Sequence, residues 1–210
     1  MSFFVTFEGP EGSGKSTQAP LLARRLSELG HHVLLTREPG GTPIGDQIRE
    51  VLHSLKNTSM QPKTEMFLLA ASRAQLVAEV IRPHLAAGGI VVCDRYADST
   101  LAYQGYGHQL DLPGVREVVA LATGGLQPDL TLLLDFDVEE GLRRRQAGSG
   151  EWNRLDAYEL DFHLRVRAGY HALAQAEPAR WVRIDASQPP EAVQAEVERV
   201  VLERLENLPK

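Results

Sequence analysis

Gly9-Pro10-Glu11-Gly12-Ser13-Gly14-Lys15-Ser16 follows the apolar run Phe3-Phe4-Val5-Thr6-Phe7 and opens a stretch of helical periodicity. Glycines at the ends of the loop permit backbone conformations and close approaches that a Cβ would obstruct, so successive main-chain N–H groups can turn inward around phosphate oxygens. Lys15 adds a point charge for the β- and γ-phosphates, and Ser16 offers a hydroxyl to Mg²⁺. The helix that begins there points its positive end at the same anion. The chemistry of this segment is a grip on a nucleoside triphosphate. It leaves the acceptor open, because kinases, GTPases and molecular motors share the loop. A GTP-dependent switch would also need a guanine-reading Asn-Lys-x-Asp segment, and none occurs in the sequence.

Other charged groups fall where such chemistry would use them. Asp94-Arg95-Tyr96 ends an apolar run, so Asp94 can hold Mg²⁺ through water and Arg95 can fork onto phosphoryl oxygens as the group transfers. Taken alone, the pair reads equally well as a strand-terminal salt bridge. Arg37-Glu38-Pro39-Gly40-Gly41-Thr42 is first a turn signal. Arg49, one to two helical turns later, reads either as a solvated surface cation or, from its closeness in sequence to this loop, as a contact to an acceptor phosphate. Arg73 closes the apolar stretch 66–72, where a lone cation either snorkels to water or bonds something specific. Arg143-Arg144-Arg145 and Arg154 bracket Gln146-Ala147-Gly148-Ser149-Gly150, which reads as a lid over about 143–155 that swings across a triphosphate. Three consecutive helical positions cannot all face one site, so Arg154 is the favoured lid cation. The seven histidines show no ligand or nucleophile spacing.

The elements that must position these groups alternate. Phe3–Phe7, His32–Thr36, Ile90–Asp94, Leu130–Phe136 and Trp181–Asp185 read as strands separated by amphipathic helices. This implies an α/β fold with a parallel sheet covered on both faces and a site at the carboxyl edge. A helix is expected from Lys15 to Leu29, stopped at Gly30 and locally distorted by Pro20. Another is expected from Thr64 to Ala87, kinked by Pro83.

At 210 residues, 43% hydrophobic and 24% charged, the chain fits one globular domain over 1–210. No apolar stretch reaches the ~20 residues of a membrane helix, and the N-terminus lacks the pattern of a secretory signal, so a cytoplasmic protein is expected. The net charge of −6 argues against nucleic acid or an acidic membrane as partner, which leaves local arginines to hold any anionic ligand. The single cysteine, Cys93, reads as a small core residue at a strand end.

Phe7-Glu8-Gly9-Pro10-Glu11-Gly12-Ser13-Gly14-Lys15-Ser16-Thr17-Gln18, Thr36-Arg37-Glu38-Pro39-Gly40-Gly41-Thr42, and Asp94-Arg95-Tyr96 with Ser99-Thr100 and Ala102-Tyr103-Gln104-Gly105 together resemble the bacterial thymidylate kinases, in register from about Phe3 to Ser187. The resemblance implies the three-layer P-loop kinase fold, with a five-stranded parallel sheet and a short lid. It implies transfer of a phosphoryl group from ATP to dTMP with Mg²⁺, on the way to dTTP, by a protein that is usually a homodimer. It further implies that Gly9, Pro10, Glu11, Gly12, Ser13, Gly14, Lys15, Ser16 and Thr17 bind ATP together with Arg154 and Arg145, and that Ser16 and Asp94 serve the metal. Lys15, Arg95 and Arg154 would be catalytic.

On the acceptor side the resemblance assigns Glu11 to the sugar 3′-hydroxyl side of dTMP, Arg49 and Arg95 to its phosphate, and Arg73 to the thymine carbonyl. Thr100 and Gln104 would line the base and sugar pocket, and Tyr103 would crowd a 2′-hydroxyl. Gly12 stands where eukaryotic-type enzymes carry a loop arginine. Asp185-Ala186-Ser187 is similar to the family's segment beside the adenine. One position departs from the family: the phenylalanine that commonly stacks on thymine is replaced by Leu69, which covers a base by apolar contact without ring-on-ring geometry.

Overall fold

The computed structural model describes residues 2–147 and 152–207. Residues 148–151, part of the expected lid, lie outside the described residues. Five strands form one sheet: β1 (Phe3–Glu8), β2 (Val33–Arg37), β3 (Ile90–Asp94), β4 (Leu130–Asp135) and β5 (Trp181–Asp185). Their order is β2-β3-β1-β4-β5, and every pairing is parallel. The register aligns Phe7, Asp94 and Arg37 at the carboxyl edge, so the loops after β1, β2 and β3 open side by side.

The helices are α1 (Lys15–Glu28), α2 (Pro43–His53), α3 (Pro62–Leu76), α4 (Arg82–Ala86), α5 (Ala97–Thr100), α6 (Leu112–Thr123), α7 (Val138–Ala147), α8 (Leu160–Ala176) and α9 (Pro190–Glu206). The period of two along β1 divides its side chains between two layers. Phe3, Val5 and Phe7 pack with Leu22 and Leu26 of α1 and with Val197 and Val201 of α9. Phe4, on the other face, joins Val91 and Cys93 of β3 against Leu76, Val77 and Ile81. Leu133 of β4 meets Phe162, Val166 and Tyr170 of α8. A sheet buried on both faces needs apolar residues at successive positions, which is why its strands were readable as continuous runs.

Two expected helices differ in detail. α1 runs through Pro20 without a break and ends one residue earlier than expected; Gly30, at φ 88°, closes it. The expected 64–87 helix is in fact α3 followed by a π-helical turn at Val77–Ile81 and then α4. Pro83 has no N–H to bond the carbonyl four residues back, and the wider turn just before it absorbs the misfit where a sharp kink was expected. A second π-helical stretch, Leu101–Gly107, follows α5; His108 N–H donates to the Tyr103 carbonyl at 2.8 Å. Among the described residues no helix is long and apolar enough to cross a membrane.

The carboxyl edge is fastened at Glu8, the last residue of β1. Its buried carboxyl accepts from Tyr96 N–H (2.8 Å), Ser99 Oγ (2.6 Å) and Tyr170 Oη (2.8 Å), joining the exit of β3 and the middle of α8 to the central strand. Burial, reinforced by the Asp98 carboxylate, pushes this carboxyl from the ordinary 4.5 up to about 7, against the opposing pull of Arg95 and the two hydroxyls. With the folded value raised, the native chain keeps a proton that the unfolded chain has lost. The stability contributed by this site is therefore present below about pH 4.5 and is lost as pH rises through 7, a swing of about 3 kcal/mol. Thermal unfolding of wild type and Glu8→Gln between pH 4.5 and 7.5 should show the wild type losing ground to the variant as pH rises. A constant difference would mean that Glu8 titrates normally.

Candidate functional site

The loop between β1 and α1 is shaped by its contact with α7. Gly12, at φ 71°, lies so close to that helix that an added Cβ would stand 2.1 Å from the Gly141 carbonyl oxygen; a Cβ on Gly141 would stand 2.2 Å from the Glu11 oxygen. The two backbones touch at a pair of glycines, and no arginine fits at position 12 without displacing α7. Gly14, at φ 91°, takes the N-cap position of α1. Lys15 folds back so that its Nζ donates to the Gly9 and Pro10 carbonyls (3.0 and 2.8 Å) and to Ser13 Oγ (3.2 Å). Burial, with Arg95 nearby, lowers its pKa to about 8. Gly12, Gly14, Lys15, Ser16 and Thr17 line the large cavity above the sheet edge, whereas Gly9, Pro10 and Ser13 do not and instead brace the lysine from beneath.

Arg95 lines this cavity from a left-handed backbone, φ 68°. Its NH1 donates to Gly9 O, Ser99 Oγ and Tyr170 Oη at 3.1 to 3.2 Å. Its NH2 donates to Glu11 Oε1 (2.7 Å) and Tyr103 Oη (3.0 Å). Tyr103 Oη donates in turn to Glu11 Oε1 at 2.7 Å. Burial alone would raise the Glu11 pKa, but Arg95 and Lys15 overcome it and hold the carboxyl at about 2. Arg49 NH1 donates to the Pro39 carbonyl at 2.9 Å and borders the same cavity. Asp94 also lines it and makes no side-chain hydrogen bond or ion pair among the described residues. That leaves a carboxylate and the Ser16 hydroxyl able to meet a hydrated divalent cation.

The base-reading part of the cavity wall expected around Arg73 is built on a guanidinium that is almost fully buried. Its Nε and NH2 grip the Glu38 carboxylate, at 2.6 Å for the NH2 contact; NH2 also reaches the Tyr96 carbonyl, and NH1 reaches Thr100 Oγ1 at 3.0 Å. Arginine has five N–H groups, so one NH1 hydrogen has no partner among the described residues. Gln104 lines the same cavity, with Nε2 on Glu65 Oε1 at 2.6 Å and Oε1 buried without a partner among the described residues. Leu69 borders the cavity and Phe67 does not, being 57% exposed on another side of α3. The apolar cover here is therefore Leu69.

The expected lid cations take up different places. Arg154 does not line the cavity: it is buried, donating to the Leu52 carbonyl (2.9 Å), Tyr158 Oη (2.6 Å) and Glu65 Oε2. A guanidinium so committed lies inside the protein at the root of the expected lid. Arg145 lines the cavity and bonds both oxygens of Asp156 at 3.2 Å. Arg144 also borders it, 3.9 Å from the centre of the Phe136 ring. Arg143, 70% exposed, pairs with Glu140 at 2.7 Å instead. The 185–187 segment does not border this cavity. Sequence reading missed Glu8, Glu65, Tyr170 and the lining residue Trp152. Glu38 lay in plain view within Arg37-Glu38-Pro39 but was read only as part of a turn.

The lining groups share a cavity of about 1150 Å³. That exceeds the ~300 to 1,000 Å³ usual for one small ligand.

The thymidylate kinase family model matches residues 7–197. A thymidylate kinase from Thermomicrobium roseum is 58% identical, with 92% of this chain and 91% of that one covered. The thymidylate kinase of Roseiflexus castenholzii is 54% identical over all of this chain and 97% of its own. The crystal structure of thymidylate kinase from Ehrlichia chaffeensis superposes with a TM-score of 0.77 at 35% identity, covering 96% of this chain and 98% of that one. With the P-loop kinase sheet order, the glycine loop and the arginine-lined cavity already in view, these matches establish that the chain belongs to the thymidylate kinase family.

Proposed function

We propose that the chain transfers the γ-phosphoryl group of ATP to dTMP, giving dTDP and ADP. The observation that carries this reading is the make-up of the large cavity's wall. It joins the phosphate loop and the α7 arginines Arg144 and Arg145 with Arg73, Leu69 and Gln104, and with Arg95, whose guanidinium bonds the loop at Gly9 and Glu11 as well as the Tyr103 hydroxyl. Lys15 and the loop N–H groups would hold the β- and γ-phosphates of ATP, and Thr17 extends that wall. Arg145 is the lid cation this reading favours over Arg154, because it already borders the cavity. Arg95 and Arg49 would take the acceptor phosphate, with Glu11 fixing Arg95 and meeting the sugar. Tyr103, pinned by its hydrogen bond to Glu11, leaves little room for a 2′-hydroxyl.

The acceptor oxygen belongs to a phosphate monoester already ionised near neutral pH, so no general base is required. The protein's work is alignment and charge neutralisation: Arg95 offsets repulsion between two anionic substrates and follows the transferring group. Asp94 and Ser16 would hold Mg²⁺. Among the described residues no cluster of His, Cys, Asp or Glu could cage a metal by itself, which suits an ion carried by the triphosphate. That ion would supply charge neutralisation at the phosphates. Closure of the 143–155 lid would exclude water and suppress hydrolysis.

The partner we infer is a second copy of the chain. α3 and α6 pack together, yet Phe67 on one is 57% exposed and Leu121 on the other 86% exposed. Large apolar side chains left in water on adjoining helices mark an interaction surface.

Two outcomes test this reading. Arg95→Ala should lower kcat for dTMP on the order of 10³-fold in a coupled ADP assay while the circular dichroism spectrum stays native; a rate within threefold of wild type would remove Arg95 from the mechanism. Phe67→Glu should shift the mass measured by sedimentation from dimer to monomer, and an unchanged dimer would put the contact elsewhere.

A further inference from the structure

We propose that Glu65 sets the base specificity of the site by fixing which end of the Gln104 amide faces the acceptor, so that the pocket accepts a base edge presenting N–H and refuses one presenting a bare ring nitrogen. The inference rests on the reading of Gln104 as the residue that meets the base.

A glutamine side chain is ambiguous by itself, since its amide turns over to present either two N–H donors or an oxygen acceptor. Here the ambiguity is removed from behind. Glu65 Oε1 takes Gln104 Nε2 at 2.6 Å and His108 Nε2 at 3.2 Å, while Oε2 takes Tyr158 Oη at 2.9 Å and the Arg154 guanidinium. Every neighbour of this carboxylate is a donor. Burial would raise its pKa, but the hydrogen bond from His108 and the charge of Arg154 hold it at about 2. An ionised carboxylate only accepts, so the amide nitrogen must point at Glu65 and the amide oxygen must point away. That oxygen belongs to a cavity-lining side chain, is buried and has no partner among the described residues. A buried acceptor without a donor is costly, and a ligand N–H relieves that cost.

In the same cavity wall Arg73 offers one NH1 hydrogen that has no partner among the described residues, and it can accept nothing. The wall therefore presents a donor and an acceptor. Thymine and uracil complement it with a carbonyl beside a ring N–H. Cytosine offers an amine against the arginine and a bare nitrogen against the glutamine oxygen, two mismatches that only an amide flip could halve. Glu65 forbids the flip.

The test is Glu65→Gln, assayed with dTMP, dUMP and dCMP. A neutral glutamine at 65 accepts or donates, which frees the Gln104 amide to turn. We expect kcat/KM for dCMP to rise about tenfold in absolute terms and that for dTMP to fall, with the dTMP:dUMP ratio and the KM for ATP unchanged. A merely loosened pocket would lower all three acceptors together. If dCMP activity does not rise in the folded variant, the role of Glu65 is overturned. Should Glu65→Gln fail to fold because Arg154 is left buried without its partner, the comparison becomes Glu65→Gln with Arg154→Met against Arg154→Met alone, in which any loss of rate cancels from the dTMP:dCMP ratio. Gln104→Leu separates the two levels. If it leaves dTMP:dCMP discrimination intact, the reading of Gln104 fails; if it collapses discrimination while Glu65→Gln does not, only the positioning by Glu65 fails.

Discussion

The guanidinium of Arg95 is the contact on which the rest of the site is assembled. It joins the phosphate loop through Gly9 and Glu11, the π-helical stretch through Tyr103, α8 through Tyr170 and its own turn through Ser99. The phosphate loop and α8, both more than 70 residues away, thus converge with two nearer segments on one planar cation, and the rigid fork of arginine imposes directions that a lysine could not. The left-handed backbone at Arg95 throws the side chain across the end of β1, and the Glu8 carboxyl holds that turn by taking the next residue's N–H.

Such a centre is costly in isolation, because Glu8, Glu11, Lys15 and Arg95 are all largely withdrawn from water. The opposing shifts show how the cost is distributed. Glu11 lies against two cations and stays ionised; Glu8, with Asp98 close by, is driven toward its neutral form; Lys15 gives up part of its basicity. Charge is concentrated where phosphates are to be held and weakened where it would oppose itself. Perturbed groups that gather in one cleft are what a site of this kind requires.

The sheet and the loop were legible because their signals are local. A parallel strand buried on both faces is an apolar run, and a phosphate loop is a fixed glycine spacing. Asp94 and Arg95 could be set at the carboxyl edge because they end such a run. What stayed hidden depends on distant partners. Arg154 was read as a cation for the nucleotide because it flanks a glycine-containing insert, but the carboxylate that claims it is 89 residues away. Glu65 lies in a helical stretch, and nothing nearby in sequence reveals the four donors around it. The π-helical stretch at Leu101–Gly107 adds one residue to a turn, which leaves no trace in hydrophobic periodicity yet lets Tyr103 and Gln104 both line the cavity.

The glycine pair at Gly12 and Gly141 has a consequence for how such sites diverge. With the two backbones in contact, a loop carrying its own arginine and a lid helix docked this closely are alternative solutions that exclude each other on volume alone. A lineage could not drift between them by exchanging one residue at a time, since the first Cβ to appear on either side would wedge the helix off the loop before any new cation arrived. The origin of the catalytic charge, loop or lid, is thereby tied to a space smaller than a methyl group.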